Sequence, residues 1–189
     1  RNGLQILDCE LNETNGGSFR VYAMKQSANK SFFGSQSHRD ICDYRIKCIL
    51  EYEKTLGLDE VTTWKTFFYR IEELKKQTIE FLQKVNAEGK SVAGYAASTK
   101  AATSCQYLGL NEYIDYIADR SAYKHGLKTV DGIPIISEDE MREKHPDYLI
   151  IFPFHFLQEF MEREKEYLLK GGTMIVLSPE FKLITKNDL

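Results

Sequence analysis

This 189-residue sequence is short of the features that identify a protein at sight. Its four cysteines (Cys9, Cys42, Cys48 and Cys105) form no CxxC pair, and its four histidines (His38, His125, His145 and His155) lie far apart. Neither set has the spacing of a metal site, so no metal is expected. Cys42 and Cys48 do not meet on one face of a helix, and all four thiols read as free. That suits a reducing compartment and a cytoplasmic location. No apolar run approaches the roughly 18 residues of a membrane helix, because Tyr148–Phe154 is short and contains Pro153. Charge of one sign is missing too. Lys and Arg number 25 against 28 Asp and Glu, interspersed, leaving a net charge of −3 that argues against a nucleic-acid partner. There is no initiator methionine and no signal peptide, so the chain reads as a piece of something longer.

Catalytic signatures are equally scarce. There is no GxGxxG, no GxxxxGK[ST], no nucleophile elbow, no paired carboxylates at fixed spacing and no Cys–His pair. The residues support binding rather than chemistry, and no catalytic residue is assigned.

What is present is enough apolar material, 42% with 12% aromatic, for one domain or one domain with an appendage. Leu4–Leu11 and Phe19–Met24 flank Asn15-Gly16-Gly17, the pattern of a β-hairpin. Gln26–Ser37 is polar and reads as a loop, pinned by Phe32 and Phe33. A helix is predicted over Arg39–Leu56, with Ile41, Cys48, Ile49, Tyr52 and Leu56 on its apolar stripe and Gly57 as its stop. A longer one spans Asp59–Asn86. It repeats Trp64, Phe67, Phe68, Ile71, Leu74, Phe81, Leu82 and Val85 at three- and four-residue spacing. The single tryptophan is expected in the core.

From Gly89 onward strands and helices alternate. Strands are predicted at Ser91–Tyr95, Tyr113–Asp119, Ile133–Ile136, Tyr148–Phe152, Thr173–Leu177 and Phe181–Ile184. Helices fall at Ser98–Leu108, Glu138–Lys144 and His155–Leu169. This is an α/β pattern: a Rossmann-like, mostly parallel sheet flanked by helices, preceded by a β-hairpin and a two-helix segment. The segments expected are 1–37, 38–88 and 89–189.

Ligands of such sheets bind at the carboxyl ends of the strands. Ser91–Ala102, SVAGYAASTKAA, reads as strand, glycine turn and helix start. Gly94 would supply the turn, while Ser98, Thr99 and Lys100 would offer donors to a phosphate; equally, Ser98 would be an ordinary N-cap. Asp119 would hold ribose hydroxyls, cap a loop or pair with Lys124. Arg120 would stack on a base or pair with a phosphate. Tyr95 would stack on a base or cover the sheet end. His155, opening a helix, would touch ligand as a neutral ring or serve as a cap. Pro153, Phe154, Ser178 and Pro179 complete the strand ends.

Six segments in order then become recognisable: GGSFRVY (16–22), GYAASTKAAT (94–103), IDYIADRSAYKHG (114–126), GIPIIS (132–137), PDYLIIFPFHF (146–156) and GGTMIVLSPE (171–180). Over nearly the whole chain this resembles the C-terminal domain of SAM-dependent C-methyltransferases of nucleotide-linked deoxy-keto sugars. The resemblance implies a three-part enzyme with a zinc-binding region, a SAM-binding domain and this substrate-holding domain. A base would form an enolate beside the sugar ketone, which would take the methyl group of SAM. The family's Tyr-x-Glu-His motif, its zinc cysteines and its SAM loop are absent here. SAM is therefore expected in the full-length enzyme and not on this piece, which would be inactive alone. Its expected partners are a nucleotide-diphosphate sugar and the N-terminal zinc and SAM domains.

The family loop GYGAxxK is matched by Gly94, Tyr95, Ser98 and Lys100, with Ala96 in place of its second glycine. Asp119, Arg120, Lys124 and Gly126 match its next segment. Phe154-His155 stands where relatives often carry Trp-Asn, and Asn15 where a histidine often stands. Two other readings compete: a stand-alone nucleotide- or CoA-binding regulatory module, and an interaction domain whose long aromatic helix dimerises.

Overall fold

The computed structural model describes residues 2–28 and 33–189, which form two compact units, 1–69 and 70–189. Phe32, expected to pin the first loop, lies outside the described residues.

In the first unit β1 (Leu4–Asn12) pairs antiparallel with β2 (Ser18–Lys25), as the glycine-rich turn requires. A register break between Ile6 and Asp8 bends β1, so the consecutive Asp8 and Cys9 are both buried. Asp8 accepts from Arg45 Nε at 2.9 Å and from Arg45 Nη2, which clasps the hairpin to α1 (Gln36–Thr55). The helix begins earlier than predicted because Ser35 is its cap, accepting from the His38 N–H at 3.3 Å. It ends as expected at Gly57, whose positive φ allows the Leu58 N–H to return to Glu53 O and its own to Lys54 O.

Two expectations fail here. Ile41, Cys48, Tyr52 and Leu56 are exposed, and the inward face of α1 is set by Cys42, Arg45, Ile46 and Ile49. Trp64 is not core. It is 53% exposed, donates its indole N–H to Leu58 O at 2.8 Å and meets Phe67 edge-on. An apolar stripe shows which residues share a face, not that anything covers it.

The helix α2 (Val61–Ala87) runs from the first unit into the second, where Thr78, Leu82 and Val85 are buried. The second unit holds a six-stranded sheet: β3 (Val92–Tyr95), β4 (Ile117–Ala118), β5 (Ile135–Ile136), β6 (Tyr148–Ile151), β7 (Thr173–Val176) and β8 (Lys182–Ile184). The order is β5-β4-β3-β6-β7-β8, parallel except for β8. The chain thus builds outward from β3 in one direction, then returns to lay β6 on its other side. That is the doubly wound arrangement, with its switch point between β3 and β6.

Strand residues alternate between two cores. Val92, Ile117, Ile150 and Ile175 face Leu82 and Val85 of α2 and Ala101, Cys105 and Leu108 of α3 (Thr99–Leu108). Burial in this layer pushes the Cys105 thiol up to about 12. Ala93, Tyr95, Leu149, Ile151 and Met174 face the other way. They meet Met141 of α4 (Glu138–Lys144), Phe160 and Met161 of α5 (Leu157–Arg163), and Leu168 of α6 (Lys165–Leu169).

The helix predicted over 155–169 is broken. A 3-10 turn covers Phe154–Phe156, and at Glu164 the backbone leaves helical geometry (φ −104, ψ 28) between α5 and α6. Its carboxylate is buried, accepting from Tyr95 Oη at 2.7 Å and from Arg142 Nε at 2.9 Å and Nη2 at 2.5 Å. Strand 113–119 is also shorter than predicted, because Leu110–Glu112 forms a 3-10 turn and only Ile117 and Ala118 pair. Among the described residues, no helix is long and apolar enough to cross a membrane.

Candidate ligand-binding site

The sheet's switch point brings two separate sequence segments together. After β3 the chain turns through Ala96 and Ala97 into α3; after β6 it passes Pro153 into Phe154 and His155. The tight turn is made by Ala96, at φ 67, rather than by Gly94. Gly94 sits in the strand for a different reason. A Cβ there would lie 2.7 Å from Phe152 Cε2 and 2.9 Å from Ile117 Cγ1, so only glycine fits. Ser98 is the helix cap, accepting from the Ala101 N–H at 3.3 Å.

Lys100 and His155 meet. Lys100 Nζ stands 3.0 Å from His155 Nδ1 and 4.9 Å from the centre of the Phe154 ring. An ammonium can only donate, so Nδ1 accepts, and the neutral ring carries its proton on Nε2. Burial and the neighbouring Lys100 charge both lower the histidine's pKa, which agrees with a neutral ring. Beside this pair is a cleft of about 320 Å³ lined by Thr99, Lys100, Thr103, Ser104, Phe152, Phe154 and Ser178. It combines one fixed cation, a row of hydroxyls on α3 and two aromatic rings. Such a wall suits a polar, anionic ligand with an apolar face.

The remaining candidates lie elsewhere. Tyr95 points to the opposite face of the sheet, where its ring meets Phe160 edge-on at 5.0 Å. Its hydroxyl is held by Glu164, and burial drives its pKa upward, so the ring does not join the cleft. Asp119 is buried and already engaged: it accepts from the Ser121 N–H at 2.8 Å and from Lys124 Nζ at 2.9 Å. Lys124 Nζ also donates to Ala97 O at 2.8 Å, so this pair braces the β3–α3 turn from below. Arg120 is exposed beyond β4. Thr103 and Ser104 were not among the sequence candidates, although they follow Thr99 and Lys100 by one helical turn.

Two other clefts carry less. One of about 440 Å³ is larger, but it is lined by residues of α4, α5 and α6 and the positions beside them, and by none of the strand-end loops at the switch point. Its arginines are committed, Arg142 to Glu138, Asp139 and Glu164, and Arg163 to Glu138 and Glu159. One of about 270 Å³ lies beside the edge strand β5, away from the switch point.

Open doubly wound sheets bind their ligands in the crevice at the switch point, outside the carboxyl ends of the strands. The C-methyltransferase C-terminal domain family matches this chain over residues 13–179, and the chain belongs to that family. The C-methyltransferase NovU of Streptomyces niveus is 30% identical over 187 residues, covering 97% of this chain and 42% of NovU. The chain thus spans less than half the length of this curated relative.

Methyltransferases of this kind use S-adenosylmethionine, and the switch point of this sheet shows no cradle built for it. The β3–α3 turn has no glycine-lined approach, and the acid at the end of β4 is spent on Lys124 and Ser121. Among the described residues, no group of three or more His, Cys, Asp or Glu could hold a metal ion.

Proposed function

We propose that this chain is the substrate-holding part of a SAM-dependent C-methyltransferase that acts on a nucleotide-linked deoxy-keto sugar. The cleft lined by Lys100 takes the diphosphate, with the methyl donor and catalytic base held by other domains of the same polypeptide. The observation that carries this reading is the meeting of Lys100 and His155 at the switch point of a sheet belonging to this family. The domain's contribution is to fix the sugar in position, a proximity effect that needs no proton transfer here. Thr99, Thr103, Ser104 and Ser178 offer hydroxyls to the ligand, and Phe154 offers a ring face.

The test is calorimetric titration of the chain with dTDP, UDP, GDP, NAD, CoA and SAM. A nucleoside diphosphate binds, and Lys100→Ala weakens it by about tenfold or more, the loss of a charge-assisted hydrogen bond. Circular dichroism of the variant stays native. Tight binding of SAM, or of CoA alone, overturns the reading; the CoA result favours a regulatory module instead. Unchanged affinity in the variant removes Lys100 from the site.

A further inference from the structure

Lys100, which lines the cleft, is in direct contact with a second basic side chain, His155, and both cannot carry charge without repulsion. Here the conflict is resolved at rest by leaving one of them neutral. Lys100 donates to Nδ1 of His155 at 3.0 Å, which fixes the lone pair on that nitrogen. The Phe154 and Phe156 rings flank the imidazole at 5.7 Å and 4.3 Å between centres and keep it partly from water. Lys100, reaching from α3, is the charge acting on it. On α5, which follows the turn that carries His155, Glu159 is paired with Arg163.

We infer that His155 adjusts the charge of the site to its ligand: when an anion enters the cleft, the ring takes up a proton at Nδ1 and becomes a second cation beside Lys100. This rests on the reading of the cleft as a diphosphate site. The anion draws the donors of Lys100 away from Nδ1, freeing its lone pair, and supplies the negative charge that makes two adjacent cations favourable. The proton comes from solvent. The empty pair carries one positive charge and the filled pair two, matching the two negative charges of a sugar nucleotide's diphosphate. An asparagine at this position could accept the lysine's hydrogen bond but could not gain a charge.

The linkage has a definite sign. Protonation accompanies binding, so affinity falls as pH rises between the ring's low midpoint in the free protein and its higher midpoint in the complex. Within that window the fall approaches tenfold per pH unit; outside it the affinity is flat.

The experiment uses the 189-residue chain and dTDP-glucose, whose esterified phosphates stay ionised from about pH 5.5 to about pH 8.5, where a histidine changes charge. Calorimetry in two buffers of different ionisation enthalpy counts protons. The wild type takes up close to one per ligand near neutral pH, and His155→Asn binds with none and a flat profile. Binding without uptake in the wild type, or uptake that persists in His155→Asn, overturns this inference and leaves the diphosphate site standing. Absence of binding overturns both.

A ligand-free arm follows the His155 ring by NMR. Lys100→Met raises its titration midpoint, and an unmoved midpoint overturns the resting contact on which the inference depends.

Discussion

The two units use the same kinds of side chain to opposite effect. In 70–189 the strands are covered on both faces, and Leu149, Ile150, Met174 and Ile175 are fully buried. In 1–69 the hairpin leaves Leu4, Ile6, Leu11, Phe19 and Val21 exposed, and α2 leaves Val61, Trp64 and Phe68 exposed before it enters the second unit. A two-stranded sheet has too little area to hide its own apolar residues, whereas six strands with helices on both faces do not have that problem. Hydrophobic composition therefore locates the stabilising core only where enough elements exist to close over it.

The sharpest way to break this contrast is to truncate one large side chain in each unit. Ile150 lies on β6 between Gly94 and Ile175 with no exposed surface. Ile150→Ala loses about 3–4 kcal/mol, the transfer energy plus the cavity left behind. Phe68, 57% exposed, should lose less than about 0.5 kcal/mol on changing to Ala. Urea denaturation measures both. Equal losses would mean that the first unit's aromatic face is covered in solution, and sedimentation of the same samples would show whether a second copy covers it.

This division also marks how far the sequence could be read. Helix Glu138–Lys144 was legible to the residue because its signals are local: the Ser137 cap and acids at 138–140 in the first turn. The break at Glu164 was not, since it accompanies contacts with Tyr95 and Arg142, which are remote in sequence. The side of the sheet that Tyr95 faces follows from strand parity. Residues alternate across a strand, so if Gly94 lies toward α3, Tyr95 must lie away from it. Lys100 and His155 were each identifiable at a strand end, but their contact depends on β3 lying beside β6, an adjacency set by strand order. Trp64 shows the reverse limit, because its stripe was real and its burial was not.

Each unit has a buried carboxylate clasped by arginine, Asp8–Arg45 in the first and Glu164–Arg142 in the second. Glu164 is the more deeply set and also holds Tyr95, whereas Arg142 is partly exposed and keeps Glu138 and Asp139 as further partners. Glu164→Gln is expected to lose about 2 kcal/mol, below the full value for a buried pair because Arg142 still reaches solvent. Tyr95→Phe in the Gln background should then add little, and a double-mutant cycle measures that coupling. Strict additivity would show that the tyrosine hydroxyl is not coupled to the clasp.

A smaller effect is expected from pH. Asp147 accepts from Lys90 Nζ, the Ser91 N–H and Ser91 Oγ, each at 2.9 Å, and these hydrogen bonds hold its carboxyl at about 2 against an ordinary 3.8. A lowered pKa stabilises the fold fully above the ordinary value, and that contribution disappears as pH falls through the folded one. Both partners are more than a third exposed, so solvent screening reduces it to about 1 kcal/mol. Wild type should lose this increment between about pH 4 and about pH 2, while Asp147→Asn should lack it at every pH. Parallel acid-denaturation curves would exclude the clasp as its source.

The smallest expected change tests the turn that presents Lys100. Ala96 holds φ 67, a conformation in which a Cβ crowds the backbone, yet its N–H reaches Ala118 O at 2.7 Å and its carbonyl accepts from the Ser98 N–H at 2.9 Å. These bonds fix the direction in which α3 starts. Glycine would relieve the crowding and, since it also gains freedom in the unfolded chain, Ala96→Gly should raise stability by only about 0.5 kcal/mol. Affinity for dTDP-glucose should be unchanged if the backbone path is set by those hydrogen bonds. Thermal denaturation and calorimetry on the same variant separate the two effects. A gain in stability with a loss of affinity would show that the alanine's rigidity, rather than its hydrogen bonds, holds Lys100 against His155.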